Sequence, residues 1–206
     1  MGILFQNKPL PEPFTIYVQD FDFERYLAYA NEDIDCELIN GVLVIHSPAS
    51  LEHELIFKFL LNLLDLYVQQ QKLGVIIGSR FTMNLSDKWG PEPDIMFIDE
   101  TQEEKLRDTY LEGPATVVIE ILSPSTRDDD LEKKIPYYIE SGVKEAWIID
   151  PKEQTVTIQW HSRKKEAASV EWAESKFIPG FRLHPSWLWN VKNISVIEKL
   201  NEIMHD

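Results

Sequence analysis

Residues 93–98 read P-D-I-M-F-I, and residues 117–151 read V-V-I-E-I-L-S-P-S-T-R-D-D-D-L-E-K-K-I-P-Y-Y-I-E-S-G-V-K-E-A-W-I-I-D-P. Two apolar runs here, 94–98 and 115–122, each carry a carboxylate where a buried strand should carry none. A continuous Val/Ile run bounded by turn residues reads as a strand covered on both faces. An ionised Asp or Glu inside such a run is costly unless it is paired, hydrogen-bonded or bound to a cation. Asp94 stands near the start of its run and Glu120 near the end of its own. Two carboxylates brought together on adjoining strands repel, and a divalent metal is the natural remedy.

Downstream, Thr126 followed by Asp129 resembles a capping box, so a helix should start there and run to Gly142, with Pro136 kinking it or relieving it of one hydrogen bond. Residues 145–150, 155–160 and 170–172 read as strands, and 194–204 has helical spacing. Upstream, C-E-L-I-N-G-V-L-V-I-H at 36–46 is a hairpin around the favoured turn pair Asn40-Gly41, with Glu37 on its first strand. Ser47-Pro48 reads as the cap and first turn of a long helix reaching about Lys72. Its apolar face is Leu51, Leu55, Phe59, Leu63 and Leu66, and Gly74 ends it. Short strands follow at 75–77 and 81–85, and a short polar helix or turn at 101–107. Residues 22–31 have helical spacing, and those up to about Pro13 are proline-rich and read as an extended arm. No internal repeat is present. The pattern is one α/β (α+β) domain with a mixed β-sheet flanked by helices, residues 1–20 forming an N-terminal arm and 193–206 a C-terminal helix.

Composition narrows the function classes. No apolar run approaches the roughly 20 residues needed to cross a bilayer, and no secretory signal is expected. The single cysteine, Cys36, fits a reducing cytoplasm, and five scattered histidines give no structural zinc motif. A formal net charge of −15 opposes a polyanionic partner, so any nucleic-acid surface must be local.

The motifs E-L-I-N-G (37–41), P-D-I (93–95), V-I-E-I-L-S-P-S-T (118–126), D-L-E-K-K (130–134), G-V-K-E-A-W (142–147) and D-P (150–151) resemble the Uma-two family of the PD-(D/E)XK nuclease superfamily. The resemblance implies a restriction-endonuclease-like core with a Mg²⁺- or Mn²⁺-dependent site that hydrolyses phosphodiester bonds of DNA. It makes Asp94 and Glu120 metal ligands and Glu37 a third acidic ligand. The usual lysine two positions after the glutamate is replaced by Leu122, and Lys134 from the next helix matches the family's substitute. Lys133 points about 100° away around that helix.

Each residue has a plainer reading. Asp94 can cap a turn, Glu37 can be an exposed strand residue, and Lys134 can belong to a solvated helix face. Ser123, Ser125 and Thr126 read as loop and cap residues rather than nucleophiles, with Ser123, like His53, a candidate to touch the substrate or support the site. His53 aligns with a recurrent family histidine that touches the site or substrate, or packs beside them. Tryptophans 160, 172, 187 and 189 either line a stacking groove or serve the core. Two functions stand open: a metal-dependent endonuclease, or a catalytically silent module that keeps the fold. A homodimer is expected, because double-strand cleavage takes two sites. The stripe Ile194, Ile197, Leu200 and Met204 would serve such a contact or pack on its own domain.

Overall fold

The computed structural model describes residues 4–5, 8–9, 13–30, 34–124, 127–161, 163–167 and 171–205. A short ribbon, β1 (Leu4–Phe5) with β2 (Lys8–Pro9), is followed by β3 (Thr15–Val18). Helix α1 (Phe23–Tyr29) starts at Asp22, whose carboxylate accepts the Arg25 N–H at 2.8 Å. The hairpin β4 (Cys36–Ile39) and β5 (Val42–His46) turns at Asn40 and Gly41, both with positive φ, as a two-residue turn of this hand requires. β3 pairs with β5, so the end of the expected arm is instead the third strand of a small sheet ordered β3-β5-β4.

Helix α2 (Leu51–Gln71) is capped by Ser50, not Ser47: Ser50 Oγ accepts the His53 N–H at 3.2 Å. Lys72 itself takes the left-handed C-cap conformation. Gly74 does not end the helix but opens β6 (Gly74–Gly78), where a Cβ would lie 2.1 Å from the Ile98 carbonyl oxygen. Then come β7 (Thr82–Asn84), β8 (Ile95–Asp99), a 3₁₀ turn (Glu100–Lys105), β9 (Tyr110–Glu112) and β10 (Val117–Ile121).

The helical path after β10 is broken in three: α3 (Arg127–Asp129), a π turn (Asp130–Lys134) and α4 (Ile135–Ser141), closed by Gly142 at φ 107°. Pro136 sits in the first turn of α4, where its missing N–H is no loss. The capping pair expected at Thr126 lies outside the described residues. β11 (Glu145–Asp150), β12 (Thr155–Trp160) and β13 (Arg163–Ala167) follow. β14 (Ala173–Glu174) and β15 (Arg182–Leu183) form a ribbon, and a 3₁₀ segment (Pro185–Asn193) leads to α5 (Val196–His205). Residue 170, expected in a strand, lies outside the described residues, and Trp172 precedes β14.

The main sheet is mixed, ordered β13-β12-β11-β10-β8-β6, with β10 and β11 parallel and the other neighbours antiparallel. Every residue of β10 and β11 is buried, because helices cover both faces. One face, with Ile95, Val117, Ile119 and Ile121, packs on Leu60, Leu63 and Leu64 of α2 and on Leu200 and Ile203 of α5. The other, with Met96, Val118 and Leu122, packs on Ile135 and Tyr138. The C-terminal stripe thus packs on its own domain through Leu200, while Ile197 stays exposed. Tryptophans 160, 172, 187 and 189 join the α2-side core, with Trp172 and Trp187 edge to face.

Candidate active site

The site forms where the end of β10, the approach to β8, the hairpin and the π turn meet. In the β10–β8 register Ile119 faces Ile95, so one further step sets Asp94 opposite Glu120. Antiparallel partners share a face. Asp94 Oδ2 accepts the Ile121 N–H at 2.7 Å, which ties the turn before β8 to the end of β10. His53, from the first turn of α2, reaches the other oxygen: Nε2 lies 3.2 Å from Oδ1. Burial would lower the His53 pKa, but Asp94 overrides it and Glu54 adds to it, raising it to about 9.

Glu120, Lys134 and Glu37 form the buried part, with exposures of 3%, 4% and 5%. Lys134 Nζ lies 2.9 Å from Glu120 Oε1, 3.1 Å from Glu37 Oε2 and 3.2 Å from Asp130 Oδ1. It also donates to Glu37 Oε1 at 3.3 Å. The π turn matters here. It buries Asp130 and Lys134 together, while Lys133 is exposed and pairs with Asp129 at 2.5 Å. Tyr138, one turn on, donates to Glu120 Oε1 at 2.7 Å.

Burial is the largest influence on Glu120; Lys134 opposes it, and Asp130, Asp94 and Glu37 reinforce it, raising the pKa to about 8. Burial also acts on Glu37, yet Lys134, His46 and the Glu92 N–H bring it down to about 2. Lys134 is desolvated too, but Glu120 and Glu37 hold its pKa well above the usual lysine value. Glu37 is therefore the carboxylate held most firmly ionised beside the ammonium.

The structure brings together Glu37, Glu120 and Lys134, and sets Asp94 with His53 beside them. Ser123 lies in the loop after β10, where its carbonyl accepts the Arg127 N–H at 3.0 Å. Asp130 and His46 join the site without having stood out in the sequence. Asp130 is one of three consecutive aspartates, and the one that faces inward is known only from its contact with Lys134, four residues on. His46 Nε2 lies 3.0 Å from Glu37 Oε1; its signal is its place on the strand paired with that of Glu37. Behind Glu37, Tyr26 donates to Glu92 Oε1 at 2.5 Å, and burial raises the Glu92 carboxyl to about 7. Cys36, next to Glu37, is 1% exposed, and its thiol is pushed up to about 12 by burial, then by Glu92, Asp35 and Glu37.

Among the described residues no three His, Cys, Asp or Glu side chains stand together as a group able to hold a metal ion. The oxygens of Glu37 and Glu120 close on the Lys134 ammonium, and Asp94 is engaged by His53 and Ile121. The donor chemistry, carboxylate oxygens without thiolate, suits a hard divalent ion; the ammonium stands where these donors meet.

A family model described as "Uma2: Putative restriction endonuclease" matches residues 22–186. The chain is similar to a crystal structure from Anabaena variabilis described as "a putative nuclease belonging to DUF820". That likeness has a TM-score of 0.74 and 18% identity, over 83% of this chain and 98% of the other, and it shows the shared fold. No curated protein matches. Among the described residues no helix is long and apolar enough to cross a membrane.

Proposed function

Because the chain belongs to the Uma2 family, we propose that it is a Mg²⁺- or Mn²⁺-dependent endonuclease that hydrolyses phosphodiester bonds of DNA. In this reading Asp94, Glu120 and Glu37 hold the ion and Lys134 meets the phosphate. The observation that carries it is the gathering of Glu37, Glu120 and Asp130 around one buried ammonium at the end of a central strand. Packing does not call for such a cluster, since apolar residues of similar volume are often as stable or more so.

Held by Asp94, Glu120 and Glu37, a divalent ion would supply Lewis-acid chemistry at the phosphate. The chain supplies the rest. His53 and the Ile121 N–H fix both oxygens of Asp94, so that carboxylate is oriented before substrate arrives. Tyr138 orients Glu120 in the same way. Lys134, on a flexible four-carbon stem, offsets negative charge building on the phosphate oxygens. Action as a homodimer in a reducing cytoplasm goes with this reading, since two strands take two sites and Cys36 is a free thiol.

A silent nuclease-fold module is favoured by one observation, the net charge of −15. Calorimetric titration of Mg²⁺ and Mn²⁺ into wild type, Asp94→Ala and Glu120→Ala, with DNA cleavage followed in parallel, separates the two. The endonuclease loses ion binding and cleavage together in both variants. A wild type that takes up no ion at millimolar concentration and leaves DNA intact is the module.

A further inference from the structure

We infer that Lys134 is the resident cation of this site: its ammonium fills the position between Glu37 and Glu120, and a divalent ion enters by displacing it. The inference rests on the nuclease reading above and adds an order of events to it.

The geometry is that of a cation site already satisfied. One nitrogen touches both oxygens of Glu37, one of Glu120 and one of Asp130, all between 2.9 and 3.3 Å. At 4% exposure the ammonium is out of reach of a phosphate. In this arrangement Lys134 balances the carboxylates; it cannot also serve the substrate. The two tasks need two positions of one side chain.

The backbone beneath it suits such a movement. Lys134 ends the π turn, in which the Ile135 N–H bonds to the Asp130 carbonyl. Turns of this width are often found at functional sites. Asp130 lies on the same turn as Lys134, so it can follow the ammonium outward, whereas Glu37 and Glu120 are fixed on strands. An ion that takes those two carboxylates would send the ammonium outward with Asp130, where an anion can meet it. Ion and phosphate binding should then favour each other, and by linkage the coupling is reciprocal.

The test uses the intact protein and Mn²⁺ without substrate. Wild type is treated with acetic anhydride, with and without saturating Mn²⁺, and acetylation of each lysine is followed by mass spectrometry. Lys134 should be protected in the ion-free protein and become reactive with Mn²⁺, while Lys133 changes little. Calorimetry should show Lys134→Met binding Mn²⁺ about tenfold or more tightly than wild type, because the competitor is gone. If that variant does not fold, the labelling of wild type decides alone. Mn²⁺ binding with Lys134 still protected overturns the displacement and leaves the nuclease reading standing. No Mn²⁺ uptake by wild type at millimolar ion overturns both.

Discussion

Glu120 and Glu145 show how much a single residue position conceals. Both are buried carboxylates on neighbouring central strands. Glu145 is satisfied without a cation: Trp147 Nε1, Ser175 Oγ and the Lys176 N–H donate to it at 2.7, 2.6 and 2.9 Å. A charged residue in an apolar run therefore announces only that a partner exists. For Asp94 and Glu120 the motif resemblance picks two residues that the strand register sets opposite each other; Asp130 and His46 depend on contacts that no spacing encodes. The roles differ in energy as well. Without metal at neutral pH, Glu37→Gln should destabilise by at least about 2 kcal/mol, since it removes the carboxylate held most firmly ionised beside a buried ammonium that keeps Glu120 and Asp130. Glu120→Gln should cost less, because burial already disfavours the charged form of that carboxyl. Urea unfolding of the two variants checks the ranking, and equal losses would contradict the assignment of charge. The pH dependence has a definite sign at His53, whose folded pKa is raised from 6.5 to about 9. Its contribution is complete below pH 6.5 and is lost as pH rises through about 9. His53→Gln should therefore cost about 1.5–3 kcal/mol on the acid side and little on the alkaline side, measured by unfolding at each pH.

Among elements, the strands of the main sheet are the most legible in the sequence, because β10 and β11 are largely apolar and have clear turn residues at their ends. Residues 145–150 and 155–160 match β11 and β12 residue for residue. The end of α2 near Lys72 is legible too, but its start is not. Ser47-Pro48 has the right composition for a cap, yet Ser47 is buried and its N–H bonds to the Phe14 carbonyl at 3.0 Å, so the chain stays extended to Ser50. The break of the helix after β10 into α and π segments is also hidden, since hydrophobic periodicity cannot distinguish a turn widened by one residue. Gly74 offers a direct test of element packing. With φ at 140° and a Cβ contact of 2.1 Å to the Ile98 carbonyl oxygen, Gly74→Ala should force β6 from β8. A loss of at least about 2 kcal/mol in thermal or urea unfolding is expected; a neutral variant would show that this strand pair shifts freely.

For the whole molecule, charge is the governing quantity. A chain at −15 approaches a polyanion against its own field, so counterion release cannot supply most of the affinity unless cations are concentrated on one surface. Cleavage measured over a range of KCl should accordingly show a Michaelis constant that is nearly flat or falls as salt screens the repulsion. A steep rise with salt would reveal a concentrated basic surface. This much is legible in composition alone, because net charge does not depend on the fold.

Cys36 gives the molecule a built-in clock. Its lone thiol is 1% exposed and poorly ionised, so an alkylating reagent should capture it only during excursions that lift β4 from its neighbours. The capture rate then reports how often the strand bearing Glu37 comes loose, and slower capture in the presence of Mn²⁺ would show an ion stapling that strand in place.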